Sequence, residues 1–138
     1  MKKTVLTLCL VAGVANAMTL NPDMQNYINE LKVQASKDDA SFKDFDALRG
    51  EKIYFTKNAG KDAQILSCQS CHNADLSTNS INVFTNKTLD PLSPKANASR
   101  LTNVKDVKKW LKRNFKDVFL REGTAKEKGD VLYYIMTK

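Results

Sequence analysis

The chain has 138 residues, 42% of them hydrophobic, a formal charge of +7 and a single histidine. That length makes one folded domain. A modest positive balance without a dense basic patch sets nucleic-acid binding aside, and no apolar run is long enough for a permanent membrane helix, so the mature form is not membrane-embedded.

Met1-Lys2-Lys3 is followed by apolar or small residues from Val5 to Val14 and then by Ala15-Asn16-Ala17. A basic start, a short apolar stretch and an Ala-x-Ala site are the parts of a secretory signal peptide, here residues 1–17, with the mature domain over 18–138. A lipoprotein reading of Cys9 fails because Leu8 stands where a small residue is needed. Cleavage after Ala17 removes Lys2 and Lys3, lowering the charge to +5, and it removes Cys9, so two cysteines remain. The product is expected in the periplasm, without a disulfide.

Asn21-Pro22-Asp23 reads as a helix start, and Met24, Tyr27, Ile28, Leu31 and Ala35 recur at helical spacing up to Lys37-Asp38-Asp39. This first helix is placed on the outside of the domain. A second is predicted over Ser41–Thr56, with Phe42, Phe45, Leu48, Ile53, Tyr54 and Phe55 as its apolar residues. Gly50 lies inside it, where glycine costs about 1 kcal/mol relative to alanine. Either it is merely tolerated or it admits a close neighbour, the candidate being the last helix, Lys126 to about Met136.

Cys68-Gln69-Ser70-Cys71-His72 follows a turn at Lys57–Asp62. Two cysteines three apart with histidine directly after the second form the attachment signature of haem c. Each thiol can form a thioether with one porphyrin vinyl group, and the adjacent imidazole is held under the iron. A thioredoxin-like dithiol would need a strand before Cys68, and none is predicted there. A structural zinc site would need four ligands, more than the mature chain's cysteines and histidine provide. The expected cofactor is therefore one haem c, covalently held by Cys68 and Cys71, with His72 as proximal ligand.

Asn73 to Asn103 is a long irregular stretch around Pro91-Leu92-Ser93-Pro94, whose length suits a loop wrapping a haem edge. The Pro91 carbonyl is the expected acceptor for the second N–H of His72. Thr102-Asn103 caps a helix to about Phe119, with Asp106 as a capping-box partner. Val104, Val107, Leu111, Phe115 and Val118 form its apolar face. Lys105, Lys108, Lys109, Lys112 and Lys116 populate the other side, either a solvated surface or a dock for an acidic partner.

Haem iron has two axial positions, and the second decides function. His72 has no second histidine to pair with, and no methionine lies between it and the last helix; Met136 is expected to pack elsewhere. Asn114 interrupts the apolar stripe Val107, Leu111, Val118. A buried amide needs a partner, and the pattern leaves two open, the iron or a backbone carbonyl.

From Gly50 onward the chain resembles the sphaeroides haem protein group of monohaem c-type cytochromes. The resemblance rests on Gly50 with Tyr54, on Cys68 to Asp75, on Lys87-Thr88-Leu89-Asp90-Pro91-Leu92-Ser93-Pro94, on Lys109-Trp110-Leu111-Lys112-Arg113-Asn114 and on Glu127-Lys128-Gly129-Asp130. The Trp-Leu-x-Arg-Asn run is its specific part. The resemblance implies an all-α class I cytochrome c fold, here with an extra N-terminal helix. It makes His72 the proximal ligand and Asn114 a distal ligand that leaves on reduction, opening the ferrous iron to O2 or NO. It also implies a dihaem cytochrome c as redox partner, alongside a membrane cytochrome b. A disulfide known in the group after the ligand asparagine is absent here, where the positions read Phe115 and Gly123.

Two functions follow as expectations: an electron carrier, or a protein that binds or reduces O2 or NO. The first is favoured over an enzyme, because a peroxidase-like reaction needs a distal acid–base group. Asp117 is only a loose candidate for that work, and Arg113, which could steady an oxygen species, reads better as surface.

Overall fold

The structure, a computed structural model, describes residues 18–138; the signal peptide assigned to residues 1–17 lies outside them. Helix α1 (Pro22–Asp38) starts where the sequence places it: the Asn21 side chain accepts the Met24 N–H and Pro22 occupies the first turn. Its periodic residues Met24, Tyr27, Ile28, Leu31 and Ala35 are all buried. The helix is not an outer appendage, as expected, but part of the core, because that apolar stripe packs on helix α5 (Ala125–Met136) and touches helix α4 (Val104–Phe119).

The second helix is shorter than predicted: α2 spans Ala47–Phe55, not Ser41–Thr56. Local hydrogen bonds win over periodicity here. The Asp39 carboxylate takes the backbone and hydroxyl of Ser41, and Asp46 caps α2 by accepting the Arg49 N–H. Ser41 lies in a turn and residues 42–46 form no regular element, with Phe45 edge-on to Tyr133 of α5.

Gly50 has the packing reason proposed for it. A Cβ there would run into the backbone carbonyl of Asp130, with the Tyr134 Cβ 2.9 Å away. This crossing of α2 and α5 is locked by an ion pair: buried Asp130 accepts Arg49 Nε at 2.8 Å and Nη2 at 2.9 Å, and the Asp46 N–H at 2.7 Å.

Between α2 and α4 the chain forms two minimal antiparallel hairpins, β1 (Asn58–Ala59) with β2 (Ile65–Leu66), and β3 (Ser80–Ile81) with β4 (Thr88–Leu89). The one-turn helix α3 (Gln69–His72) lies between them. The irregular stretch is otherwise turns, anchored by buried Leu76, Ser93 and Leu101. The fold is thus all-α with two-residue strands as clips, and the first hairpin packs against α4.

Helix α4 is capped by Asn103, whose side chain accepts the Asp106 N–H, and ends at Leu120 in the left-handed region. The reciprocal bond expected of Asp106 is not formed among the described residues. The full capping box belongs to α5. Thr124 accepts the Glu127 N–H at 3.1 Å, and Glu127 accepts the Thr124 N–H at 2.8 Å while holding Arg121 at 2.6 and 2.7 Å. Arg121 and these backbone bonds hold the Glu127 carboxyl below its usual pKa. Its contribution to stability is therefore complete above the ordinary carboxylate range and is lost as pH falls through it. Replacing Glu127 with Gln is expected to cost about 1 kcal/mol near neutral pH and less in acid, read from urea midpoints at the two pH values.

Candidate haem site

Cys68, the residue before α3, and Cys71 and His72 within it all line one cavity of about 580 Å³. The turn is held by the Ser67 N–H bond to Ser70 Oγ and by the Asn73 N–H on the Gln69 carbonyl, after which Asn73 leaves with φ 60°. Tyr54, at 1% exposure and also on the cavity wall, donates its hydroxyl to the Asn73 carbonyl at 2.6 Å. Helix α2 thereby fixes the residue that follows His72. The sequence offers Tyr54 as an apolar position and as one of the residues carrying the resemblance, but not its partner, a backbone atom 19 residues away.

The walls are mostly aliphatic and aromatic, with Leu66, Leu92, Leu111, Phe115, Leu132 and Ile135 contributing. The volume falls within the range of cofactor sites. Helix α4 supplies Trp110, Arg113, Asn114 and Asp117 to the same cavity. Asn114 is half-buried on the cavity wall. No methionine is among the cavity-lining residues. Met24 is fully buried elsewhere in the core, and Met136 packs against that core too.

The titration of the wall favours a ligand set over a redox dithiol. Burial pushes the Cys68 thiol up to about 12, the reverse of what an attacking thiolate needs. Burial first, and the Arg100 charge second, push His72 down to about 4, so its imidazole is neutral and has a free lone pair at pH 7. Its Nδ1 is buried without a hydrogen-bond partner. The Pro91 carbonyl expected to take it is engaged instead by Arg100 Nε at 2.8 Å and Asn97 Nδ2 at 3.5 Å. Arg100, which also donates to the Asp90 carbonyl at 2.7 Å, is a site residue that sequence reasoning misses, because both its partners are backbone atoms.

Two thiols, a neutral imidazole with an orphaned nitrogen and a large apolar chamber on the same wall fit a covalently held haem. Cys68 and Cys71 would carry the thioethers and His72 the iron.

Arg113 is both surface and site. Its side chain is more than half exposed, its guanidinium lies 5.5 Å from the Trp110 ring centroid, and it stands 3.9 Å from Asp117. At the far end of the helix the Phe115 ring presses on Gly123, where a Cβ would come within 2.8 Å of three ring atoms. Positions 115 and 123 are thus in direct contact, an aromatic ring on a glycine.

A domain of unknown function, DUF1924, matches residues 40–135. Cytochrome c-type protein SHP of Cereibacter sphaeroides is 30% identical over 122 residues, covering 88% of this chain and 94% of that protein. Cytochrome c'' of Methylophilus methylotrophus is 28% identical over 91 residues, 63% of this chain and 61% of that protein. Among solved structures, oxidised SHP, described as an oxygen-binding cytochrome c, superposes with a TM-score of 0.72 at 30% identity, over 83% of this chain and 96% of that one. Oxidised cytochrome c'' gives 0.74 at 19% identity, over 84% and 94%, a likeness of fold.

Proposed function

This chain belongs to the DUF1924 family and to the family of the c-type cytochrome SHP, and from that premise we propose that it is an exported electron carrier whose distal iron ligand, Asn114, is released on reduction. It is a monohaem cytochrome c, with its haem c on Cys68 and Cys71. The haem supplies one-electron chemistry and, where an axial position opens, a place for a diatomic gas.

The observation that carries the reading is the company Asn114 keeps. It lies on the same cavity as His72, and among the described residues no methionine does. An amide oxygen would be a weaker ligand to haem iron than an imidazole or thioether, which is what would let Asn114 give way when the haem is reduced. The chain's own residues set the frame. Tyr54 fixes the His72 turn through Asn73, α4 carries Asn114, and Phe115 on Gly123 restrains the helix end beside it.

Residues 1–17 act in this reading as a signal peptide and the protein works in the periplasm. Its redox partners are a dihaem cytochrome c and, beyond it, a membrane cytochrome b. No helix among the described residues is long and apolar enough to cross a membrane. A second reading, binding or reduction of O2 or NO, is favoured by the oxygen binding named for SHP.

Optical spectra of the purified ferric and ferrous protein test the assignment. The expected result is a low-spin ferric haem that becomes high-spin on reduction, and in Asn114→Ala a haem that stays covalently attached but is high-spin in both states. A methionine–iron charge-transfer band, or a low-spin haem in both states of the variant, would sink it. Rapid ferrous CO or NO binding without turnover separates a carrier or binder from an enzyme.

A further inference from the structure

Residues 18–138 carry twenty Lys and Arg against fifteen Asp and Glu, a net +5. Helix α4 holds six of those cations and only two carboxylates, Asp106 and Asp117, a net +4 in sixteen residues. The remaining described residues are close to neutral, so the protein's positive field comes from one helix, and that helix lines the haem cavity.

The lysines of α4 are not equivalent. Lys108 is paired with Glu30 at 3.0 Å, and Lys112 and Lys116 share Glu122 at 3.1 and 3.6 Å. Lys105 and Lys109 have no carboxylate partner among the described residues. Lys109 Nζ lies 5.1 Å from the ring centroid of Trp110, with Arg113 on the same ring. Trp110 is 44% exposed although it lines the haem cavity, and Lys87, exposed and without an ion pair among the described residues, comes to that cavity just before β4. Asp106 and Asp117 face the same cavity; Asp117 is matched by Arg113 at 3.9 Å.

A solvated lysine face needs no exposed indole at its centre. An exposed apolar aromatic with unpaired Lys109 and the Asp117-paired Arg113 on its ring, and Lys87 on the rim of the same cavity, has the anatomy of an interface core with a charged rim. We propose that the Trp110 face of α4 is the docking surface for a redox protein with an acidic face, Trp110 being the buried anchor and Lys87, Lys109 and Arg113 the steering rim. The proposal rests on the electron-carrier reading above and names where the exchange takes place. The charge guides the encounter, and docking on a residue that also lines the haem cavity brings the partner's redox centre to the cavity mouth.

The test uses the ferric holoprotein and a reduced plant-type ferredoxin as a strongly acidic probe, mixed in stopped flow at low and high salt. One electron passes from the ferredoxin cluster, which is oxidised, to the haem iron, which is reduced. K87E/K109E is compared with K37E/K52E, which makes the same change in net charge on exposed lysines of α1 and α2. The control pair is expected to stay within about twofold of the parent, whereas K87E/K109E slows by about tenfold or more at low salt and loses its salt dependence. W110A slows the reaction at both salt concentrations, with the ferric spectrum showing that the haem environment is kept. Equal slowing by the two charge-reversed pairs, or none by K87E/K109E, overturns the proposal while leaving the carrier reading standing. A parent protein that dithionite reduces but ferredoxin does not, at any salt concentration, overturns both.

Discussion

Gly50→Ala is expected to destabilise the holoprotein by about 3 kcal/mol, at the upper end of what overpacking usually costs. Helix propensity alone favours the alanine by about 1 kcal/mol, so the two arguments differ in sign. The contact decides. The added carbon meets backbone rather than a movable side chain: the carbonyl oxygen of Asp130, and its carbonyl carbon at 2.5 Å. Relief requires α2 and α5 to separate.

Separation then loosens the bonds that Asp130 accepts from Arg49 and from the Asp46 N–H, and a carboxylate at 2% exposure cannot recover them from water. Tyr54 lies one turn further along α2, so the shift also reaches Asn73 and the turn carrying His72. A lowered urea midpoint together with an altered haem spectrum is the expected result. An unchanged or raised midpoint would mean that α2 and α5 can slide without cost.

That crossing also marks how far the sequence could be read. Gly50 stands out because a glycine inside an apolar helical pattern asks for a reason, and the last helix is the neighbour expected to supply it. The capped helices α1 and α4 are legible for a similar reason: cap and period agree along a few adjacent residues. Helix α2 was overextended because Phe42 and Phe45 keep a helical spacing that the Asp39 and Asp46 side chains break by local hydrogen bonds.

The site divides along the same line. Cys68, Cys71 and His72 are visible because attachment chemistry fixes their spacing. Asn114 is visible as a flaw in an apolar stripe. Tyr54 and Arg100 are not, because their partners are carbonyls of Asn73, Asp90 and Pro91, and a carbonyl leaves no trace in the residue type that carries it. For the same reason the sequence does not show that the Pro91 carbonyl, expected to serve His72, accepts from Arg100. The lysine face of α4 was legible as a face, but only the ion pairs tell Lys109, which is unpaired, from Lys112, which is not.

Replacing both cysteines, Cys68→Ala with Cys71→Ala, is expected to abolish covalent haem and with it the cooperative fold. The chamber that Cys68, Cys71 and His72 line measures about 580 Å³. Left without haem, its apolar lining would face water instead of a packed partner, and a domain of this size has only about 5–15 kcal/mol of stability to lose. Leu66 of β2, Leu111 and Phe115 of α4, and Leu132 and Ile135 of α5 face the chamber from three elements, so the haem would be the part of the core on which they meet. The double variant should therefore lose near-ultraviolet circular dichroism and show no cooperative urea transition, and haem should migrate away from the polypeptide on a denaturing gel. A single variant, Cys68→Ala or Cys71→Ala, keeps one thioether and is expected to retain both haem and fold, with a lower midpoint. The comparison also decides against a redox dithiol, for which the double substitution would remove reactivity and leave folding intact. A cooperative transition in the haem-free double variant would show that the apolar wall can close on itself.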